Sequence, residues 1–285
     1  LILKTLCAFS VAEIANALLA NEESIEKRLG RARKLFRDSR TFAAAEVGER
    51  LDAVHQAIYL LFNEGYHGSR SETTVREDLC FEAIRLAVLL SEHPEGNTPK
   101  THALIALLCF HAARLAGRMD DDGVLIQLEM QDRSKWDHEL IGRGFASLEN
   151  SFEGNELSEY HVEAAIASLH CAAPVYEETD WSRILELYDT LARLRPSPIV
   201  ALNRAIALGK AHGPDAGLTA LQDIPDAARL THYPFYPAAQ GEFHLLAGRP
   251  AQAAQYFEQA MNLARGRAEA NFFAGKLQTC RSSVF

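Results

Sequence analysis

Apolar and polar residues follow one another along most of this chain with the three-and-four spacing of helices. The clearest early case is Ser10 to Arg37, SVAEIANALLANEESIEKRLGRARKLFR. Val11, Ile14, Ala15 and Leu18 share one face of a first helix. Ser10 stands at its N-cap with Glu13 three residues on, the pairing of a capping box. Ala20 and Asn21 interrupt the pattern, and Asn21 is suited to cap a second helix. That helix turns Ile25, Leu29, Ala32, Leu35 and Phe36 inward and leaves Lys27, Arg28, Arg31, Lys34 and Arg37 on its outer faces. Leu1 to Phe9 reads as the end of a helix that packs beneath this pair through Leu3, Leu6, Cys7 and Phe9.

Further along, the same periodicity predicts a helix over 49–63, with Leu51, Val54, Ala57, Ile58, Leu61 and Phe62 as its stripe and Gly65 as its C-terminal cap. Others are predicted over 77–90, 101–115, 137–150, 158–172, 181–194, 198–208, 214–221, 235–247, 251–263 and 269–277. Residues 41–48 form a weak boundary, and 67–74, 93–99 and 120–123 are polar, turn-rich connections. Strand patterns are scarce, while Ala and Leu dominate. The expected class is therefore all-α.

From Asp180 the helices come in pairs whose small and aromatic positions are those of tetratricopeptide-like hairpins. Gly241, Ala253, Phe257 and Ala260 match that motif, as do Tyr188 and Pro196. The period drifts, so these are degenerate repeats, with a plain α-helical bundle as the alternative. Such hairpins bury their faces against one another and offer a concave side to protein or peptide. Three segments are expected: a helix-turn-helix over 1–40, a helical domain over 41–179 and a hairpin array over 180–285.

Composition changes this picture mainly through charge. The 285 residues are 48% hydrophobic and carry 29 basic against 38 acidic side chains, a net −9. Residues 1–40 hold +3 of this, so the rest holds −12. Between Lys27 and Arg40, seven of fourteen residues are Lys or Arg. A basic end on an acidic body points to nucleic acid at that end. A capped first helix, a tight turn and a basic second helix are also what major-groove reading uses. Glu22, Glu23 and Glu26 favour the dipole at the start of the second helix but would repel phosphate. Glu26 has the chemistry to accept from a cytosine amino group.

Enzymatic chemistry finds little purchase. The five cysteines are dispersed with no CxxC pair, the pattern of reduced thiols in a cytoplasmic protein. His102 and His111 are nine apart, as are His161 and His170, which is not the i, i+4 spacing of a helical zinc pair, and there is no H-E-x-x-H. There is no Gly-rich phosphate loop and no G-x-S-x-G elbow. No metal, cofactor or catalytic residue is expected. Two polar clusters are open to two readings, ligand contact or structure: Asn63, Glu64 and Tyr66 beside a helix end, and Asp132, Arg133 and Trp136, with an Asp132–Arg133 ion-pair network as the structural option. No run is apolar enough for a membrane span, and the chain opens at Leu1 inside an apolar helical pattern, so further sequence upstream is expected.

The run S-V-A-E-I-A at Ser10 to Ala15 with R-L-G-R-A-R at Arg28 to Arg33 resembles promoter-recognition region 4 of extracytoplasmic-function sigma factors. Beyond this region the chain is similar to the members with a long tetratricopeptide-like C-terminal extension. The blocks are ERLDA from Glu49, YLLFNEGYHGS from Tyr59, DLCFEAIRLAVLL from Asp78, LEMQDRSKWD from Leu128 and YDTLARLRPSPIVALNRAIAL from Tyr188. The resemblance spans nearly the whole chain, apart from the promoter-melting region 2. It implies a transcription initiation factor that contacts the upstream (−35) promoter element and RNA polymerase core, with a regulatory helical extension and a regulatory protein as its further partner. Carried onto this chain, it assigns DNA contact to Asn21, Ser24, Lys27, Arg28 and Arg31, with Arg28 and Arg31 foremost. The other reading is a tetratricopeptide-like interaction scaffold that does not bind DNA.

Overall fold

A computed structural model describes residue 4 and residues 9–18, 20–38, 47–67, 75–120 and 124–282. Among these, thirteen α-helices carry the fold, and the only strand-type pairing is an isolated bridge between Met119 and Leu125. The all-α expectation therefore holds. The expected packing of Leu3, Leu6 and Cys7, the inward Leu35 and Phe36, and the connection over 68–74 lie outside the described residues or side chains. The chain divides into two compact units.

The first unit comprises Leu1–Ala113 and His138–Glu156. Its helices are α1 (Val11–Ala17), α2 (Glu22–Asp38), α3 (Leu51–His67), α4 (Glu77–Ser91), α5 (Pro99–Ala112) and α6 (His138–Asn150). Helix α5 is apolar on almost every side, from Ala103 to Phe110, and α3, α4 and α6 all pack against it. An all-round apolar helix is stable only when surrounded in this way. Its start is set by Thr98, whose Oγ accepts from the Thr101 N–H at 3.2 Å, followed by Pro99 at the first helical position. Helix α6 reaches α5 through Gly144, where a Cβ would come within 2.7 Å of the Phe110 ring.

Gly65 is not the C-terminal cap that its position suggested. Helix α3 continues through it to His67. A Cβ here would lie 2.7 Å from the Arg76 carbonyl and 2.9 Å from the Cys80 N. The glycine lets the start of α4 press against α3, and the Arg76 N–H donates to the Gly65 carbonyl at 2.7 Å. Close approach, rather than left-handed backbone, explains the residue.

The second unit comprises Arg114–Asp137 and Leu157–Phe285. It holds α7 (Glu159–Ala172), then α8 (Trp181–Leu194), α9 (Pro198–His212), α10 (Pro214–Gln222), α11 (Phe235–Leu246), α12 (Pro250–Asn262) and α13 (Arg267–Ser282). Successive helices pack as hairpins. Ser197 caps α9 by accepting from the Val200 N–H at 3.2 Å, ahead of Pro198. Gly213, at φ 99°, ends α9 in a conformation that favours glycine, and Pro214 starts α10 at once. Gly209 and Gly217 bring these two helices together, with the Phe243 ring of α11 seated over both. Ala253, Phe257 and Ala260 are buried and Gly241 faces the Phe257 ring, as the repeat positions required. Among its described residues, the segment 114–137 has no α-helix, only short 3₁₀ turns at Leu115–Gly117, Leu128–Met130 and Arg133–Lys135.

Candidate nucleic-acid interface

Helices α1 and α2 pack on each other across the short connection between them. The starts of both helices are capped as their sequence indicated. The Ser10 N–H donates to Glu13 Oε2 at 2.5 Å, and the Glu13 N–H donates to Ser10 Oγ at 3.1 Å. At the start of α2 the Ser24 N–H donates to Asn21 Oδ1 at 2.8 Å. Phe9, Ile14, Ala15, Ile25 and Leu29 are buried between the helices and their surroundings.

With Ile25 and Leu29 inward, the exposed positions of α2 carry Glu22, Glu23 and Glu26 in its first turns and cations from Lys27 onward. Lys27, Arg28, Arg31, Arg33 and Lys34 are all exposed. Lys27, Arg31 and Lys34 follow at i, i+4 and i+7, with Arg28 beside them, so the charges form a stripe along the helix. Lys27 pairs with Glu23 at 2.6 Å, but both side chains are more than two-thirds exposed. Such a pair is worth well under about 1 kcal/mol and yields readily to a phosphate. The Arg31 Nε donates to the Lys27 carbonyl at 3.4 Å, which holds its stem along the helix. Of the five residues expected to touch DNA, Asn21, Lys27, Arg28 and Arg31 are exposed. Ser24 is half-buried, and Asn21 already spends its carbonyl on the cap.

The two polar clusters of the body fall in different units. In the first, Asn63, Glu64 and Tyr66 lie in the last turns of α3, Glu64 and Tyr66 being buried. The Tyr66 ring stacks on Phe62 at 5.6 Å and meets His111 at 5.3 Å. Of the three, Tyr66 thus belongs to a buried aromatic contact with Phe62 and His111.

In the second unit, Asp132 and Arg133 do not pair with each other. Asp132 accepts from the Ser134 N–H at 3.0 Å and its hydroxyl at 2.6 Å, closing a turn and holding its carboxyl below the usual range. Arg133 Nη1 donates to the carbonyls of His170 at 2.7 Å and Ala173 at 2.6 Å. It thus caps the C-terminus of α7, where unsatisfied carbonyls and the helix dipole favour a cation. The guanidinium lies 4.5 Å from the centre of the buried Trp136 ring, a cation–π contact. An ion pair would have left those carbonyls unmet, which is why the backbone takes the arginine.

Around this cap, burial, with the charges of Arg114 and Arg133 behind it, pushes His170 down to about 3. Burial likewise pushes the Cys171 thiol up, opposed by the same two arginines. Nearby, Lys210 donates to Glu129 at 3.3 Å and stands 5.5 Å from the Tyr176 ring. The sequence pattern singles out Arg133 and Trp136 but not Arg114 or His170, which no local spacing joins to them. Among the described residues no group of three or more His, Cys, Asp or Glu side chains could hold a metal ion, and no helix is long and apolar enough to cross a membrane.

Residues 50–152 match a family described as a family of unknown function, DUF6596. An uncharacterized protein of Rhizobium meliloti (strain 1021) is 37% identical over 281 residues. That similarity covers 97% of this chain and 66% of the relative, so the chain spans just under two thirds of the relative's length. No solved structure matches.

Proposed function

We propose that this chain carries the promoter-recognition helices and a regulatory helical extension of a sigma-type transcription initiation factor. Its partners in this reading are promoter DNA, through the upstream element, and RNA polymerase core. The observation that carries the reading is α2: capped at Asn21, anchored by Ile25 and Leu29, and lined outward with exposed Lys27, Arg28 and Arg31. Cations on a rigid helix place phosphate contacts and leave adjacent side chains to meet base edges. The family resemblance of the flanking blocks supports the same assignment. Chemistry on a substrate has no part in it.

The test is selection of duplexes from a random library by the 285-residue chain, with RNA polymerase core present and absent. Enrichment of one short motif, stronger with polymerase, supports the proposal. A pool that stays random under both conditions refutes it. The second reading is a scaffold whose hairpins bind protein. The close-packed helical pairs of the second unit favour it, and a random pool would leave it standing.

A further inference from the structure

Glycine inside a helix of this chain usually marks a close approach. A Cβ on Gly65 would meet the Arg76 carbonyl, one on Gly144 the Phe110 ring, one on Gly209 or Gly217 the Phe243 ring, and one on Gly241 the Phe257 ring. In each case bare backbone lets a neighbour in. Gly30 stands exposed in the middle of the 17-residue α2, and a Cβ there would have nothing within 4 Å. No described residue asks for a glycine at this position, although glycine is the poorest helix former after proline.

Gly142 of α6 and Gly275 of α13 are exposed and equally open. What sets Gly30 apart is its surroundings on the helix surface. Lys27, Gly30, Arg31 and Lys34 follow at i, i+3, i+4 and i+7, so they share one face, and the side chains around the glycine are exposed cations. Arg33, three residues on from Gly30, is another exposed cation. Glu26, one turn before it, is the acidic neighbour. At the same spacings Gly142 has His138, Glu139, Phe145 and Ala146, and Gly275 has Asn271, Phe272, Gln278 and Thr279. Neither set contains Lys or Arg. Only the open backbone of α2 is a notch framed by side chains that hold phosphate.

We propose that Gly30 is the point at which α2 comes closest to the duplex, and that it thereby sets sequence selectivity. This rests on the promoter reading and adds to it the residue that seats the helix. Lys27, Arg31, Arg33 and Lys34 hold phosphates on either side, and the bare backbone at Gly30 lies against base edges in the major groove. Glu26 is brought by the same approach within reach of base edges, where a carboxylate accepts from cytosine. A methyl group in the notch holds the helix away. Hydrogen bonds to the bases then lengthen and weaken, while the long cationic side chains still reach the phosphates. Gly30 is thus a positioning residue that acts through its neighbours.

The experiment compares wild type, Gly30→Ala and Gly142→Ala, each as the whole chain with RNA polymerase core. Binding is measured to the duplex enriched from the random library and to a scrambled duplex, and thermal unfolding is recorded for each chain. Gly30→Ala is expected to lose about tenfold of the wild-type preference for the enriched duplex, the scale of one methyl group forced into a close contact. It should bind the scrambled duplex as wild type does, since phosphate contacts carry no sequence information. Its unfolding temperature should equal or exceed that of wild type, because alanine favours the helix. Gly142→Ala should keep the full preference. A Gly30→Ala chain that discriminates as wild type does overturns the inference and leaves the promoter reading intact. A lost preference accompanied by a lower unfolding temperature, or matched by Gly142→Ala, also overturns it and places the glycine's role in folding. If wild type itself prefers no duplex, the promoter reading fails and the role of Gly30 falls with it.

Discussion

Arg133 replaces an expected ion pair with a helix cap, and the replacement has a measurable consequence. Arg133→Met keeps much of the stem over Trp136 but strands the carbonyls of His170 and Ala173. Unfolding in urea should show a loss of about 2 kcal/mol, the usual cost of an unmet buried polar group with a charge-assisted bond removed. A loss no larger than that of a random surface substitution, within about 0.5 kcal/mol, would contradict the cap. His170 makes a second prediction. Its folded value of about 3 lies below its ordinary 6.5, so between these values the unfolded chain binds more protons than the folded one. Stability therefore falls as pH falls through that window. At pH 5 the loss relative to pH 7 is about 2 kcal/mol from this side chain. His170→Gln should lose less stability than wild type between pH 7 and pH 5, and an unchanged loss would show that His170 is not held neutral.

At the scale of elements, the helices were largely readable because their signals are local. Ser10 with Glu13, Asn21, and Ser197 ahead of Pro198 each cap the helix that their sequence announces. Gly65 departs from its expected role because a glycine near the end of an apolar stripe serves equally well as a cap or as a point of close approach. Only the partner helix distinguishes the two. Gly65→Ala should cost about 1–3 kcal/mol by overpacking, since a Cβ at 2.7 Å from a backbone carbonyl forces α3 and α4 apart. Gly30 of α2 has nothing within 4 Å of such a Cβ. Gly30→Ala should be neutral or stabilising by up to about 1 kcal/mol. The pair, compared by thermal unfolding, separates packing glycines from merely helical ones. The segment 114–137 was the least legible element. Its short turns have no periodicity, and its membership in the second unit depends on the α7 carbonyls that Arg133 finds far along the chain.

Over the whole molecule, charge and packing are allotted to different places. Residues 1–40 carry +3 and the remainder −12, and the cations of α2 face outward while its apolar residues hold the helix pair together. The two compact units have their own interiors, one around α5 and one through the glycine-mediated hairpins. The stripe on α2 is thus available without disturbing either core, and Arg28→Ala/Arg31→Ala should leave stability within about 0.5 kcal/mol of wild type. The central claim, that α2 meets promoter DNA, is tested most directly by duplex binding of wild type and this double variant across a salt series. The selected duplex should bind wild type with an affinity that falls steeply with salt. The double variant should bind weakly, with a slope flattened by about two units, one for each phosphate that is no longer neutralised. Equal affinities and equal slopes would contradict the claim and turn the chain's function toward its helical hairpins.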